Sequence, residues 1–153
     1  MEPLIRVGEA DFDVGVEVQR VLAMADTIGG VVNFVGVMRS NNDGRAVEAM
    51  HLEHYPGMTE KALAAIAQQA SERWSLEAIT VIHRVGLFKP GDQIVLVVTA
   101  ASHRGEAFQA CEFIMDFLKT RAPFWKKEIT AQGEFWVDAR SSDDSAADRW
   151  QST

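Results

Sequence analysis

Residues 93–138 read QIVLVVTAASHRGEAFQACEFIMDFLKTRAPFWKKEITAQGEFWVD and contain, in order, a strand, a helix and a hairpin. The apolar run QIVLVVTAA (93–101) is far too short to span a bilayer and reads as a strand. Over about 105–120 the period becomes helical, with Phe108, Cys111, Met115 and Leu118 on one apolar stripe. Pro123 stops that helix, having no backbone donor with which to continue it. FWKKEITA and EFWVD, joined by Gln132-Gly133, then pair as a closing hairpin.

Working back from this segment, Lys89-Pro90-Gly91-Asp92 is a turn, and Ile79, Val81, His83, Val85 and Leu87 alternate as one strand. Pro56 suits the first turn of a helix in which Met58, Ala62, Ile66 and Ala70 recur up to Trp74. VVNFVGVM (31–38) reads as a buried strand, SNNDGR (40–45) as turn chemistry, and about 47–54 as a returning strand, which predicts a hairpin between the two strands. Asp13 caps a helix over about 14–25, with Val14, Val18, Val21, Leu22 and Ala25 on one face, and Gly29-Gly30 break it. LIRVG (4–8) is a short strand. The end, SSDDSAADRWQST, is polar, with Trp150 as a docking point.

The order β-α-β-β-α-β-β-α-β-β has no linker, repeat or low-complexity block. It predicts an α+β fold, one domain over residues 1–140 with three helices on a mixed or antiparallel sheet and hairpins, followed by a polar C-terminal tail, 141–153. A chain of 153 residues fits one domain with a real core. Its 47% hydrophobic and 24% charged residues are a globular mixture. Fifteen Lys and Arg against twenty-two Asp and Glu give a formal charge of −7, which argues against non-specific nucleic-acid binding. MEPLIRVGEADF lacks the pattern of a signal peptide, so a cytoplasmic location is expected. The single cysteine, Cys111, excludes an internal disulfide and any multi-cysteine zinc site.

Much catalytic chemistry is excluded by absence. There is no Gly-rich phosphate loop, no GxGxxG after a strand and no HExxH. Ser102 and His103 adjoin, but neighbours on a strand point to opposite faces and make a poor nucleophile–base pair. The histidines at 51, 54, 83 and 103 lack metal-ligand spacing, and His51, His54 and His83 read as partly buried, hydrogen-bonded side chains. Cys111 reads as a packed thiol. The positive signal is basic. Of five lysines, Lys119, Lys126 and Lys127 lie within nine residues. Arg39 ends one strand, and His103-Arg104 end another before a helix start, where anions are commonly held. A plainer reading has Lys119 complementing the helix dipole and Lys126-Lys127 guarding a solvated edge strand.

At these residues the chain resembles the large, catalytic subunits of molybdopterin synthase, over about residues 4–150. The matching pieces are GGVVNFVGVMR (29–39), LEHYPGMTEKAL (52–63), VIHRVG (81–86), SHR (102–104) and, most specifically, FIMDFLKTRAPFWKKE (113–128). The resemblance implies a hammerhead-like α/β arrangement and an enzyme that installs two dithiolene sulfurs on cyclic pyranopterin monophosphate (precursor Z). The sulfur would arrive as a thiocarboxylate on the Gly-Gly C-terminus of a small ubiquitin-like partner. The large subunits would form a central homodimer within a heterotetramer, with no cofactor or metal of their own. Carried onto this sequence, Lys119 and Lys126 would perform the chemistry, and Arg39, His103 and Arg104 would grip the phosphate. Lys127 and Glu128 would line the pocket, with Val37 and Met38 at its substrate side and Arg140 reaching across from the other subunit.

Helix geometry adds a constraint. Fifteen residues separate Arg104 from Lys119, roughly 22 Å in a straight helix. If all these residues serve one site, His103 and Arg104 must come from the second chain of a dimer. The competing reading is a non-catalytic, ferredoxin-like anion-sensing or assembly module, in which Lys119 and Lys126 would splay into solvent.

Overall fold

The structure, a computed structural model, describes residues 1–137 and 141–151. Its first sheet consists of β1 (Leu4–Gly8), β6 (Ala78–Arg84), β8 (Gln93–Ala101) and β2 (Gly30–Val37), in that order. β1 runs parallel to β6; the other pairs are antiparallel. Strand β8 explains why this sheet has helices on both faces. Val95 and Val97 belong to a core with α2 (Met58–Arg73) and α3 (Arg104–Arg121), while Leu96, Val98 and Ala100 pack with Val21 of α1 (Val14–Leu22). Alternate side chains thus bury in opposite directions, which requires an unbroken apolar run.

The second sheet is wholly antiparallel, in the order β10 (Gly133–Val137), β9 (Phe124–Thr130), β5 (Ala49–His54) and β7 (Gly86–Phe88). Its inner face buries Met50, Leu52 and Phe88 with Met38 and Val47. A two-strand ribbon, β3 (Asn41–Asn42) with β4 (Arg45–Ala46), stands beside it. Among the described residues no helix is long and apolar enough to cross a membrane.

The α+β layers, the cap at Asp13 and the closing hairpin agree with the sequence. Several elements differ. The stretch 79–87 is two strands: Gly86, at φ 104°, turns the chain so that β6 and β7 enter different sheets. Strands 31–38 and 47–54 do not pair; β2 joins β8, and β5 joins β7 and β9. The turn between them closes only the short β3–β4 ribbon. Helix α1 ends at Leu22 rather than Ala25, and Pro56 precedes the N-cap Gly57 instead of sitting in the first turn. Phe108 is exposed, whereas Cys111, Met115 and Leu118 are buried. Ala107 and Ala110 occupy the inner face there, because α3 approaches β8 closely enough for the Thr99 hydroxyl to donate to the Ala107 carbonyl at 2.7 Å.

The tail carries a fourth helix, α4 (Ser141–Asp148), and Trp150 docks as the sequence suggests. Its ring meets Trp74 and Phe113 edge-on at 5.6 and 5.4 Å, and its Nε1 donates to Asp116 at 2.7 Å. Trp150→Ala is expected to lower the unfolding free energy by roughly 2 kcal/mol, less than for a fully buried tryptophan because the ring is half-buried. Urea titration measures this; an unshifted midpoint would mean that the tail does not dock.

Candidate active site

Three of the cations singled out in the sequence, Arg39, Lys119 and Lys126, converge on one cleft. Lys119 reaches it from the last turn of α3, Arg39 from just past the end of β2, and Lys126 and Glu128 from β9; Val37 and Met38 complete that wall. Strand alternation selects among the β9 residues. Lys126 and Glu128 stand opposite Leu52 and Met50 on the inner face of the second sheet. Lys127 stands opposite His51 on the outer face, where its ammonium lies 3.6 Å from Glu134 and 5.5 Å from the centre of the Trp136 ring. It therefore does not line the cleft with Lys126.

His103 and Arg104 are exposed at the opposite end of α3, and neither lines this cleft. α3 is continuous over 18 residues, so the roughly 22 Å separation expected from the sequence applies. The start of β2 lies against this end of the helix: a Cβ on Gly29 would come within 1.9 Å of the Ser102 carbonyl oxygen, so glycine alone permits the approach. Arg140 lies outside the described residues.

The structure adds cleft residues that the sequence did not single out: Asn41, Asn42, Val47, Met50 and Ile94. Asn41 and Asn42 are the informative ones. They lie in a segment whose Asn-Asp-Gly composition signals only a turn; the ribbon pairs Asn42 with Arg45 and Asn41 with Ala46 across it.

His83 of β6 is buried, with its ring stacked on Phe124 at 3.9 Å and its Nδ1–H donating to the Arg84 carbonyl at 2.8 Å. Burial pushes its pKa down to about 4; the positive charges of Lys119 and His54 act in the same direction, against the bond to Arg84. The buried Cys111 thiol is pushed up to about 11 by burial and by Glu112, which fits packing rather than nucleophilic chemistry. Among the described residues no group of His, Cys, Asp and Glu could hold a metal ion. The cleft can thus bind a compact anion and present lysines for proton transfer or charge stabilisation.

Comparisons of sequence and of fold with known proteins give consistent results. The family model described as MoaE protein matches residues 7–121. A molybdopterin synthase catalytic subunit from Ralstonia nicotianae is 61% identical over 148 residues, covering 97% of this chain and 84% of that protein. One from Escherichia coli is 55% identical over 149 residues, covering 97% and 99%. The solved structure of molybdopterin cofactor biosynthesis protein E from Burkholderia multivorans superposes with a TM-score of 0.84 at 52% identity, over 98% of this chain and 97% of that one.

The buried His83 makes a pH prediction. Unfolded, the imidazole takes up a proton near pH 6.5; folded, it resists until about pH 4. Its contribution to stability is therefore complete above pH 6.5 and is lost as pH falls toward 4, by roughly 3 kcal/mol in total. Urea unfolding at several pH values should show this decline, and His83→Gln should flatten it. Equal acid sensitivity in both proteins would count against the assignment.

Proposed function

The chain belongs to the MoaE protein family, and we propose that it is the large subunit of a molybdopterin synthase that transfers sulfur to cyclic pyranopterin monophosphate. The donor is a thiocarboxylate at the C-terminus of a small ubiquitin-like partner, and the product carries the dithiolene of molybdopterin. The observation that supports this reading best is that Lys119, Lys126 and Arg39, from three separate elements, line one cleft. A sensing or assembly module of ferredoxin-like type gives no reason for such convergence. The reaction takes place in the cytoplasm, in a domain spanning residues 1–140.

The chemistry follows from the side chains. Lys119 serves as general acid and base and holds the incoming thiocarboxylate by charge. Lys126 assists and contacts the substrate. Arg39 grips the phosphate, because its planar guanidinium matches phosphate oxygens in a bidentate manner. The buried Cys111 thiol is unsuited to carrying sulfur, so the sulfur comes from the partner. His103 and Arg104, at the far end of α3, complete the pocket of a second chain, and a two-fold homodimer at the centre of a heterotetramer holds two composite sites. Arg140 belongs with these cross-chain residues.

The direct test mixes this chain with a thiocarboxylated small subunit and precursor Z and measures molybdopterin. Lys119→Ala should lower turnover by a factor on the order of 10²–10⁴ without unfolding the protein. Lys119→Arg should be nearly as poor, since arginine keeps the charge but does not release a proton near neutral pH. Near-normal turnover in the arginine variant would leave the lysine a purely electrostatic role. Arg39→Ala should raise KM roughly ten- to a hundredfold while sparing kcat; a collapsed kcat with unchanged KM contradicts a phosphate grip.

Composite sites make a further prediction. Lys119→Ala and Arg104→Ala chains, each inactive alone, should regain part of the activity when their subunits exchange, because each mixed dimer contains one intact pocket. A mixture that stays inactive despite proven exchange would place the whole site within one chain.

A further inference from the structure

The β3–β4 ribbon does more than wall the cleft. Asp43 and Gly44 have φ of 53° and 80°, the left-handed pair that a two-residue turn between right-twisted strands requires. The Gly44 N–H donates to Asn41 Oδ1 at 2.9 Å, which supports the turn locally. Asn42 and Arg45 stand directly opposite each other across it, so their side chains leave the ribbon on the same face.

Both side chains end on one carboxylate. Asn42 Nδ2 donates to Glu128 Oε2 at 2.5 Å, and the Arg45 guanidinium pairs with Glu128 Oε1. Arg45 also sits 5.7 Å from the centre of the Phe135 ring, on the strand that pairs with β9. Glu128 is only 3% exposed. A carboxylate so buried needs a counter-charge. It lines the same cleft as Arg39, Lys119 and Lys126, and those cations are the alternative partners if Arg45 is removed.

We propose that Arg45 is a positioning residue of this site: by holding Glu128 against the ribbon, it keeps that carboxylate from competing with an anionic substrate for the cations of the cleft. This rests on the reading of the cleft as an anion site. Arg45 acts through Glu128 and need not touch the reacting atoms, so its loss should weaken substrate binding and leave the chemical step nearly intact.

The test uses the full chain with its small subunit. Arg45→Ala should raise KM for the cyclic pterin phosphate roughly five- to tenfold with kcat changed less than about twofold, and Arg45→Lys should stay close to the parent. The decisive variant is Arg45→Ala combined with Glu128→Gln, which removes the competing charge and should bring KM back down by roughly threefold or more. A ribbon that merely loosens would leave the double variant no better than Arg45→Ala, and that result overturns the proposal, as does an unchanged KM in Arg45→Ala. Calorimetric binding of inorganic phosphate to the same variants separates this idea from the sulfur-transfer reading. If affinity follows the same order while no molybdopterin forms, the reaction assignment fails and the role of Arg45 stands. If phosphate affinity is indifferent to Arg45→Ala, the proposal falls whatever the turnover.

Discussion

The cleft depends on a single break in the backbone at Pro123. Proline lacks a backbone donor and pushes the residue before it out of the helical region. Ala122 accordingly closes α3 in an extended conformation, at φ −81° and ψ 132°. The chain then enters β9 at Phe124, so the last turn of a helix and the inner face of a strand meet within a few residues. The corner is pinned from outside. The buried Thr59 at the start of α2 donates its hydroxyl to the Pro123 carbonyl at 3.0 Å and accepts the Tyr55 N–H at 3.0 Å. The placement of Lys119 relative to Lys126 therefore rests on α2, which contributes no residue to the cleft lining.

A second constraint determines which side of β9 faces inward. At Gly86 the chain passes from the first sheet to the second, and the left-handed φ there lets β7 turn away from the line of β6. An added Cβ would meet Glu9 Oε1 at 3.0 Å, so this corner is crowded as well as strained for other residues. With β7 placed, Phe88 and Met50 bury against Met38 and Val47, and the antiparallel register carries that inner face across to Glu128 and Lys126. One residue of slip would exchange Lys126 for Lys127. The apolar contacts of the second sheet thus specify which lysine enters the cleft.

What the sequence reveals and what it conceals divide along the range of the interactions. Strand β8, helix α3 and the β9–β10 hairpin are legible because local period, Pro123 and Gly133 encode them within a few residues. Pairing partners are not: 31–38 and 47–54 are neighbours in sequence, yet β2 finds β8, some sixty residues on. The stripe through Phe108 misleads because helix spacing says nothing about how closely a helix approaches its sheet, and here close approach selects Ala107 and Ala110. Lys119, Lys126 and Arg39 stand out as rare cations at element ends. Arg45 does not, because what gives it meaning is Glu128, 83 residues away. The separation of His103 and Arg104 from Lys119 is the opposite case, since the length of an unbroken helix can be read from a sequence that contains neither proline nor a run of glycines.

The overall charge of the protein and the charge of its cleft point in opposite directions, and distance reconciles them. The chain carries a formal −7, which by itself would repel an anion. At physiological ionic strength, however, exposed charges are largely screened beyond about 8 Å. An anion outside the cleft meets a screened, mildly repulsive surface; one inside meets Arg39, Lys119 and Lys126 at close quarters, where water is partly excluded and attraction is stronger. Such an arrangement favours a ligand whose negative charge is compact enough to enter, and it disfavours extended polyanions that must also lie along the acidic exterior. It also makes the buried Glu128 the carboxylate with the greatest leverage on the site. One negative charge within the cleft can offset what many on the outer surface cannot, so the way Glu128 is held matters more than the net charge.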